Sequence, residues 1–255
     1  MSDPSVWIHA LRGSHNRFAA LVQPLDDATI QELSYATEWS IAQVASHLGS
    51  QAEIFALFLD AGLSGQDAPG AERFQPIWNE WNNREPRRQV VDSLRANEDL
   101  VAGLERLADA ERAAFALDMF GSVLDLTGLC QLRLGEHALH TWDVAVALDP
   151  DAQVSNDAVA LLIDTLPAMA SRIGKPSEPG REIVIETTAP RRGFVLKTGP
   201  DVELAAAAEI GPVDIRIPAE ALVRLLYGRL DPDHTPSGIS GVAALAYIRP
   251  VFPGF

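Results

Sequence analysis

The chain of 255 residues is poor in cysteine, in basic residues and in long apolar runs. It contains a single cysteine, Cys130, so it can form no intrachain disulfide, which fits a reducing compartment. Lysine and arginine number 20 against 35 acidic residues, and the net charge of −15 opposes binding to nucleic acid or anionic lipid. No stretch reaches the roughly 18 apolar residues that suggest a membrane span, and the N-terminal residues lack a signal-peptide pattern. We therefore expect a cytoplasmic protein without nucleic-acid or membrane partners.

Two further motifs are missing. The sequence has no glycine-rich nucleotide-binding motif, and it has no Gly-x-Ser-x-Gly elbow of the kind that carries a nucleophilic serine. Enzymes that use NAD or ATP and serine hydrolases are therefore disfavoured.

The first 150 residues have the apolar periodicity of helices. One helix has a well-marked start, because Ser40 and Gln43 fit a capping box and Trp39 with Val44 fits a hydrophobic staple. Four helical segments joined by modest loops predict a four-helix bundle. Their expected bounds are about 5–25, 41–62, 73–107 with a bend allowed at Pro86, and 124–148.

After Pro150 the pattern changes to a mixture of helices and strands. We expect strands at 182–187 and 193–197, further strands near 202–206 and 213–217, and helices at 157–173, 219–230 and 239–248. Strands clustered in the last third indicate a separate, smaller α+β domain with a mainly antiparallel sheet. The overall prediction is an α+β protein with domains at 1–150 and 151–255.

A narrow polar stripe marks the fourth helix. At about 100° per residue, Arg133, Glu136, His140 and Asp143 fall within one sector, beside apolar positions such as Leu139. Such a stripe could face solvent, or it could face a polar cavity inside the bundle. Asp143 could orient His140, or it could pair with Arg133 or act as a cap elsewhere.

Glu136 and His140 are four residues apart, so their side chains meet on one helix face. A carboxylate with a neutral imidazole suits zinc and related cations, and His47 is the best candidate for a third ligand. Taken alone, a Glu four residues before a His is more often a solvated helix pair. His137 is the main rival ligand, but it points about 100° away from Glu136.

At these residues the chain resembles a known family. Residues 38–48, which read EWSIAQVASHL, are similar to the Trp-Thr/Ser…Val…His-Leu motif of the mycothiol-dependent maleylpyruvate isomerase family. Residues 133–143, which read RLGEHALHTWD, are similar to that family's Arg…Glu…His-x-Trp-Asp motif. The resemblance implies a DinB-like four-helix domain in which His47, Glu136 and His140 hold a divalent metal, with zinc as the expected ion.

The resemblance also implies the chemistry. Mycothiol would serve as the thiol cosubstrate, and its thiolate would attack a small electrophilic substrate such as a maleylpyruvate-like acid. Release of the thiol would give an isomerase, and retention would give an S-transferase. Arg229, in a Gly-Arg segment similar to one in the family's C-terminal domain, is the candidate catalytic and cofactor-binding residue for an anionic group. Arg84 is a weaker candidate for the same cofactor-binding role.

Two rival functions stay open at this point. Metal-activated water could make the protein a hydrolase that needs no thiol. Alternatively, the bundle and the C-terminal half could enclose an apolar ligand in a non-catalytic protein that binds a small molecule or lipid. In each case we expect a monomer or a homodimer.

Overall fold

The computed structural model describes residues 3–36, 38–119 and 121–254. The chain divides into two compact units, residues 1–153 and residues 154–255. None of the helices in the described ranges is long and apolar enough to cross a membrane.

The N-terminal unit is built mainly of helices. Its long helices α1, α2, α4 and α6 pack on one another as a four-helix bundle in the described part of the chain. In the described residues the unit also has two shorter helices, a 3₁₀ turn at Thr29–Gln31 and a small antiparallel hairpin. The bounds are α1 Ser5–Val22, α2 Ile41–Ser64, α3 Ala71–Asn82, α4 Pro86–Arg106, α5 Asp109–Ala114, β1 Leu117–Met119, β2 Ser122–Leu124 and α6 Leu126–Leu148.

Helix starts in this unit follow local capping chemistry. The predicted capping box at α2 is confirmed, since Ser40 Oγ accepts from Gln43 N at 3.2 Å and Gln43 Oε1 accepts from Ser40 N at 2.8 Å. Helix α6 begins after Asp125, whose Oδ1 accepts from Gly128 N at 2.8 Å. These caps satisfy backbone N–H groups that the helices leave without partners. They fix the start of both helices that carry the predicted metal ligands.

The core of the bundle lies between α1, α2, α4 and α6. Its fully buried members include Phe18, Ile41, Leu48 and Val144, which are each at most 1% exposed. Burial of apolar side chains of this size contributes roughly 1.5–3 kcal/mol each. The two ligand-bearing helices are thus held by apolar packing.

The C-terminal unit is a four-stranded mixed sheet covered by helices in the described residues. The strand order is β5-β4-β3-β6, with β3 antiparallel to β4, β4 antiparallel to β5, and β6 parallel to β3. Ile185 pairs with both Phe194 and Ile215, which makes a buried row across three strands. The bounds are α7 Asn156–Leu162, α8 Leu166–Ile173, β3 Glu182–Thr188, β4 Gly193–Lys197, β5 Glu203–Ala206, β6 Ile215–Pro218, α9 Ala219–Leu226 and α10 Val242–Ile248.

The predicted α+β class, with a helical bundle followed by a mainly antiparallel sheet, is confirmed. Two details of the prediction are wrong, and one hairpin was missed. The segment 73–107 is two helices, because Glu85 before Pro86 is extended (ψ 146) and α4 starts afresh at the proline. The segment 157–173 is divided by a 3₁₀ turn at Ile163–Thr165 before Pro167. The hairpin of β1 and β2 was not predicted, because three-residue strands are too short to show alternation.

Candidate metal centre

The side chains of His47, Glu136 and His140 converge at one point of the N-terminal unit. Glu136 Oε2 lies 3.5 Å from His47 Nε2 and 3.7 Å from His140 Nε2. One potential ligand atom from each residue lies within 4.8 Å of the other two, and the two imidazole centroids are 4.6 Å apart. The structure therefore brings together the three residues that the sequence proposed as ligands.

Two helices supply these side chains. His47 lies in the second turn of α2, and Glu136 and His140 stand one turn apart on α6, so that both point toward α2. Their side chains are partly exposed, at 23%, 32% and 11% in chain order. The cluster is thus sheltered by the bundle but open to small molecules from outside.

An aromatic ring covers one side of the cluster. The Trp39 ring centroid lies 4.9 Å from that of His47 and 5.9 Å from that of His140. Trp39 precedes the Ser40 cap, and its carbonyl accepts a hydrogen bond from Ser34 N at 2.9 Å. This bond holds the loop before α2 in place. The indole therefore shields both imidazoles from water on that side.

Asp143 orients His140. Its Oδ2 lies 2.9 Å from His140 Nδ1, and the Asp143 side chain is fully buried. An ionised carboxylate can only accept a hydrogen bond, so the proton of this contact lies on Nδ1, and Nε2 of the neutral ring presents its lone pair to the cluster. Of the roles open to Asp143 from the sequence, the structure shows the contact with His140.

Gln51 also belongs to the site, and the sequence did not single it out. Its Nε2 lies 3.0 Å from His47 Nε2 and 2.9 Å from Glu136 Oε2. Gln51 stands one helical turn after His47 on α2, so the four-residue spacing that linked Glu136 to His140 could have revealed it.

Arg133 turns inward, although the sequence left open whether the polar stripe faces solvent. It is 2% exposed, and it donates to Gln51 Oε1 at 3.0 Å, to Leu48 O at 2.9 Å and to Asn97 Oδ1. Burial lowers the pKa of Arg133 to about 10, against an opposing effect of Glu136. The guanidinium is therefore a buried cation whose hydrogen bonds go to neutral oxygens.

Charge at the cluster is set by opposing effects. Burial raises the pKa of Glu136, but the contacts with His47, His140 and Gln51 outweigh it and bring the pKa to about 2. Burial lowers the pKa of His47, partly offset by Glu136. At neutral pH the cluster thus offers one carboxylate and an uncharged His47 imidazole, the forms in which these groups bind metal.

These residues fit a divalent cation. Two imidazole nitrogens and one carboxylate oxygen are the donors that zinc and similar ions take in catalytic sites, and three protein ligands leave a position for an exchangeable group. Asp143 behind His140 is the usual support for such a histidine.

Arg84, the weaker candidate for binding the cofactor, contacts Trp81 and acidic side chains outside this cluster. Its guanidinium stacks over the Trp81 ring at 3.7 Å, and Nη2 donates to Glu80 at 2.6 Å. Asp92 and Glu53 lie 3.6 and 4.0 Å from it. It lines a cleft of about 520 Å³ to which none of the three proposed ligands contributes. The acidic neighbours weaken the attraction of this arginine for an anion.

Arg229 lies in the C-terminal unit, just after Gly228, whose φ is +72. Its Nη1 donates to the Tyr227 carbonyl at 2.9 Å. A Cβ at Gly228 would lie 2.3 Å from Gly254 N, so the close approach of the chain end requires glycine here. The close contact between Gly228 and Gly254 therefore fixes the backbone turn that carries Arg229.

Two further side chains of α6, the rival ligand His137 and the single cysteine, do not belong to the cluster. His137 is buried on α6, and its Nδ1 lies 2.8 Å from Ser14 Oγ on α1. Cys130 is buried, and burial raises the pKa of its thiol to about 12, so this cysteine stays protonated at neutral pH.

Comparison with known proteins identifies the family. Residues 11–145, a little more than half of the chain, match the family model of the mycothiol maleylpyruvate isomerase N-terminal domain. The chain belongs to this family. The match spans both segments on which the resemblance rested, so that prediction is confirmed.

Solved structures agree at the level of the fold. The chain is similar to the crystal structure of the mycothiol-dependent maleylpyruvate isomerase, with 12% identity, a TM-score of 0.65, and coverage of 89% of this chain and 90% of that one. A histidine-to-alanine mutant of that enzyme matches with 13% identity, a TM-score of 0.62 and the same coverage. No curated protein gives a significant match in sequence.

Proposed function

We propose that this protein is a metal-dependent enzyme that uses mycothiol to isomerise, or to transfer a thiol to, a small electrophilic substrate such as a maleylpyruvate-like acid. The observation that carries the proposal is the convergence of His47, Glu136 and His140 within 4.8 Å. Family membership supports the thiol and the substrate class.

In this proposal each residue has a physical task. His47, Glu136 and His140 hold the cation, and zinc is the ion that best suits their donor atoms. When bound, such a cation lowers the pKa of a thiol so that thiolate forms near neutral pH. Asp143 keeps the His140 lone pair directed at the cluster, and the Trp39 ring limits the access of water from its side.

Metal content tests the first part of the proposal. The wild-type protein should purify with, or take up, about one zinc ion per chain, and His140→Ala should bind none stoichiometrically. His9→Ala is a matched control, because His9 is exposed on α1 and contributes to no part of the cluster. Unchanged zinc in the His140→Ala protein would refute the ligand set.

Turnover tests the second part. The zinc-loaded protein should convert maleylpyruvate, or add a thiol to a related electrophile, only when mycothiol is present. Turnover that is independent of mycothiol would instead indicate a metal-dependent hydrolase. Co-purification of an apolar metabolite, with neither metal nor turnover, would indicate a binding protein.

Arg229 is proposed to bind the anionic group of the thiol or the substrate. Arg229→Ala should raise the KM for that molecule by about tenfold or more, since one charged hydrogen bond contributes about 1.5–3 kcal/mol. Arg191→Ala is the control, because the Arg191 side chain is 80% exposed in the same unit. Arg84→Ala serves as a second comparison, and a larger effect there would move the anion site to the cleft beside Trp81.

A further inference from the structure

The loop at 227–235, which follows α9 and carries Arg229, is held at its backbone by a buried arginine. Arg224 lies on α9 and is 2% exposed. Its Nη1 donates to two carbonyl oxygens of the loop, to Arg229 O at 3.1 Å and to His234 O at 2.9 Å. In the other direction, Arg229 N donates to Arg224 O at 2.7 Å. One guanidinium nitrogen therefore joins the two halves of the loop.

The Arg224 guanidinium is itself fixed in orientation. Its Nε and Nη2 both donate to the carboxylate of Glu220, one helical turn earlier, with Nη2 at 3.0 Å from Oε2. Glu220 is 6% exposed, and its Oε1 also accepts from Val154 N at 3.3 Å. A bidentate pair holds a planar guanidinium in one plane, so Nη1 keeps a constant direction toward the loop.

A second arginine holds the middle of the same loop. Arg249 Nε donates to Leu230 O at 2.7 Å. Arg249 Nη2 also donates to Thr235 Oγ1, and that hydroxyl donates to Asp231 O. Three consecutive carbonyls, at 229, 230 and 231, thus accept hydrogen bonds from side chains. Because these bonds are made within the unit, the loop needs no ligand to define its conformation.

We propose that Arg224 is a positioning residue that holds this loop, and with it the Arg229 side chain, in one conformation before an anionic ligand binds. The inference rests on the proposed role of Arg229 and extends it. A loop that is ordered in advance loses little conformational freedom on binding, which strengthens the attachment of the anion. Lysine cannot do the same, because a single ammonium lacks the fork that engages the carboxylate and the two carbonyls together.

Hydrogen exchange of the full-length protein tests the loop without any substrate. Arg224→Lys keeps a positive charge opposite Glu220, so no buried carboxylate is left without a counter-charge. Peptides that cover 227–235 should exchange about tenfold faster in this variant than in the wild type, and those of β3 and β4 should be unchanged. Arg216→Lys is the matched control, because Arg216 pairs at 2.6 Å with Glu186, another buried carboxylate, on the sheet.

Kinetics test whether Arg224 acts through Arg229. Arg224→Lys should raise the KM for whichever of mycothiol and maleylpyruvate responds to Arg229→Ala, by up to about tenfold, with little change in kcat. In the Arg229→Ala background the same substitution should add no further increase, since residues that act through one another are not additive. A purely structural role would instead lower kcat in both backgrounds.

Each outcome supports or overturns a stated role. Unchanged exchange of the loop in Arg224→Lys, or an additive rise of the KM in the double variant, would overturn the positioning role. If Arg224→Lys does not fold, Glu220→Gln decides, because it leaves the guanidinium an acceptor but removes the bidentate pair; loop exchange equal to that of the wild type would then refute the proposal. A wild type without mycothiol-dependent turnover would refute the proposed function, while hydrogen exchange would still decide whether Arg224 holds the loop.

Discussion

Gly49 offers a sharp test of how α2 and α3 pack behind the proposed metal centre. It lies two residues after His47, and the Trp81 ring of α3 rests against it. A Cβ added at Gly49 would lie 2.2 Å from Trp81 Cη2 and 2.3 Å from Cζ3. Since carbon atoms pack at about 3.5–4.0 Å, the ring would have to retreat by more than about 1 Å. Trp81 is 1% exposed, so it has little room to do so.

The expected magnitude follows from two opposing effects. Overpacking of a well-filled core costs about 1–3 kcal/mol, and a displacement this large belongs at the upper end. Replacing a helical glycine by alanine returns up to about 1 kcal/mol. Gly49→Ala should therefore lower the free energy of unfolding by about 1–2 kcal/mol net, which corresponds to about 2–4 °C in Tm per kcal/mol for a unit of this size.

Gly103 on α4 provides the matched control. A Cβ there would meet nothing within 4 Å, so Gly103→Ala gains helix propensity without a clash and should be neutral or stabilising by up to about 1 kcal/mol. Urea unfolding followed by circular dichroism gives both midpoints. A midpoint for Gly49→Ala equal to or above that of Gly103→Ala would refute the packing argument.

Three further predictions concern charge and protonation. Asp143→Asn removes the carboxylate acceptor behind His140 and should weaken zinc binding by about 10–100-fold. Asp118→Asn is the control, because it removes the same charge from an exposed strand position. An equal loss of zinc affinity in both proteins would contradict the orienting role of Asp143. Burial lowers the pKa of both His15 and His137. Below about pH 6.5 the unfolded chain therefore binds more protons than the folded protein does. The contribution of these residues to the free energy of unfolding is present above that pH and is lost progressively below it. A plot of the free energy of unfolding against pH should therefore fall less steeply in acid for His137→Gln than for the wild type. Identical slopes for the two proteins would contradict the effect assigned to His137. Cys130, with its thiol pKa raised to about 12, should resist iodoacetamide at neutral pH in the folded protein and react in urea; rapid labelling of the native protein would contradict its burial.

Local structure in this protein was largely predictable from residue pattern. The capping box at Ser40 needs only residues three apart, and Glu136 with His140 needs only the helical repeat. The break before Pro86 was accessible in the same way, but the apolar pattern across 73–107 favoured one continuous segment over the stop that proline imposes. The hairpin at 117–124 was not predictable in this way, because its pairing depends on Gly121 at φ +75 and on strands too short to alternate.

The sequence by itself determined where α2 starts, and that one face of α6 carries a carboxylate and an imidazole one turn apart. These properties arise from interactions within about four residues, so neighbouring side chains are enough to specify them. Only the tertiary structure decided that His47 of α2 reaches Glu136, that Arg133 points inward, and that Gln51 lies between them. Those contacts join residues more than 80 positions apart, and they depend on how the apolar faces of two helices pack, which no local spacing encodes.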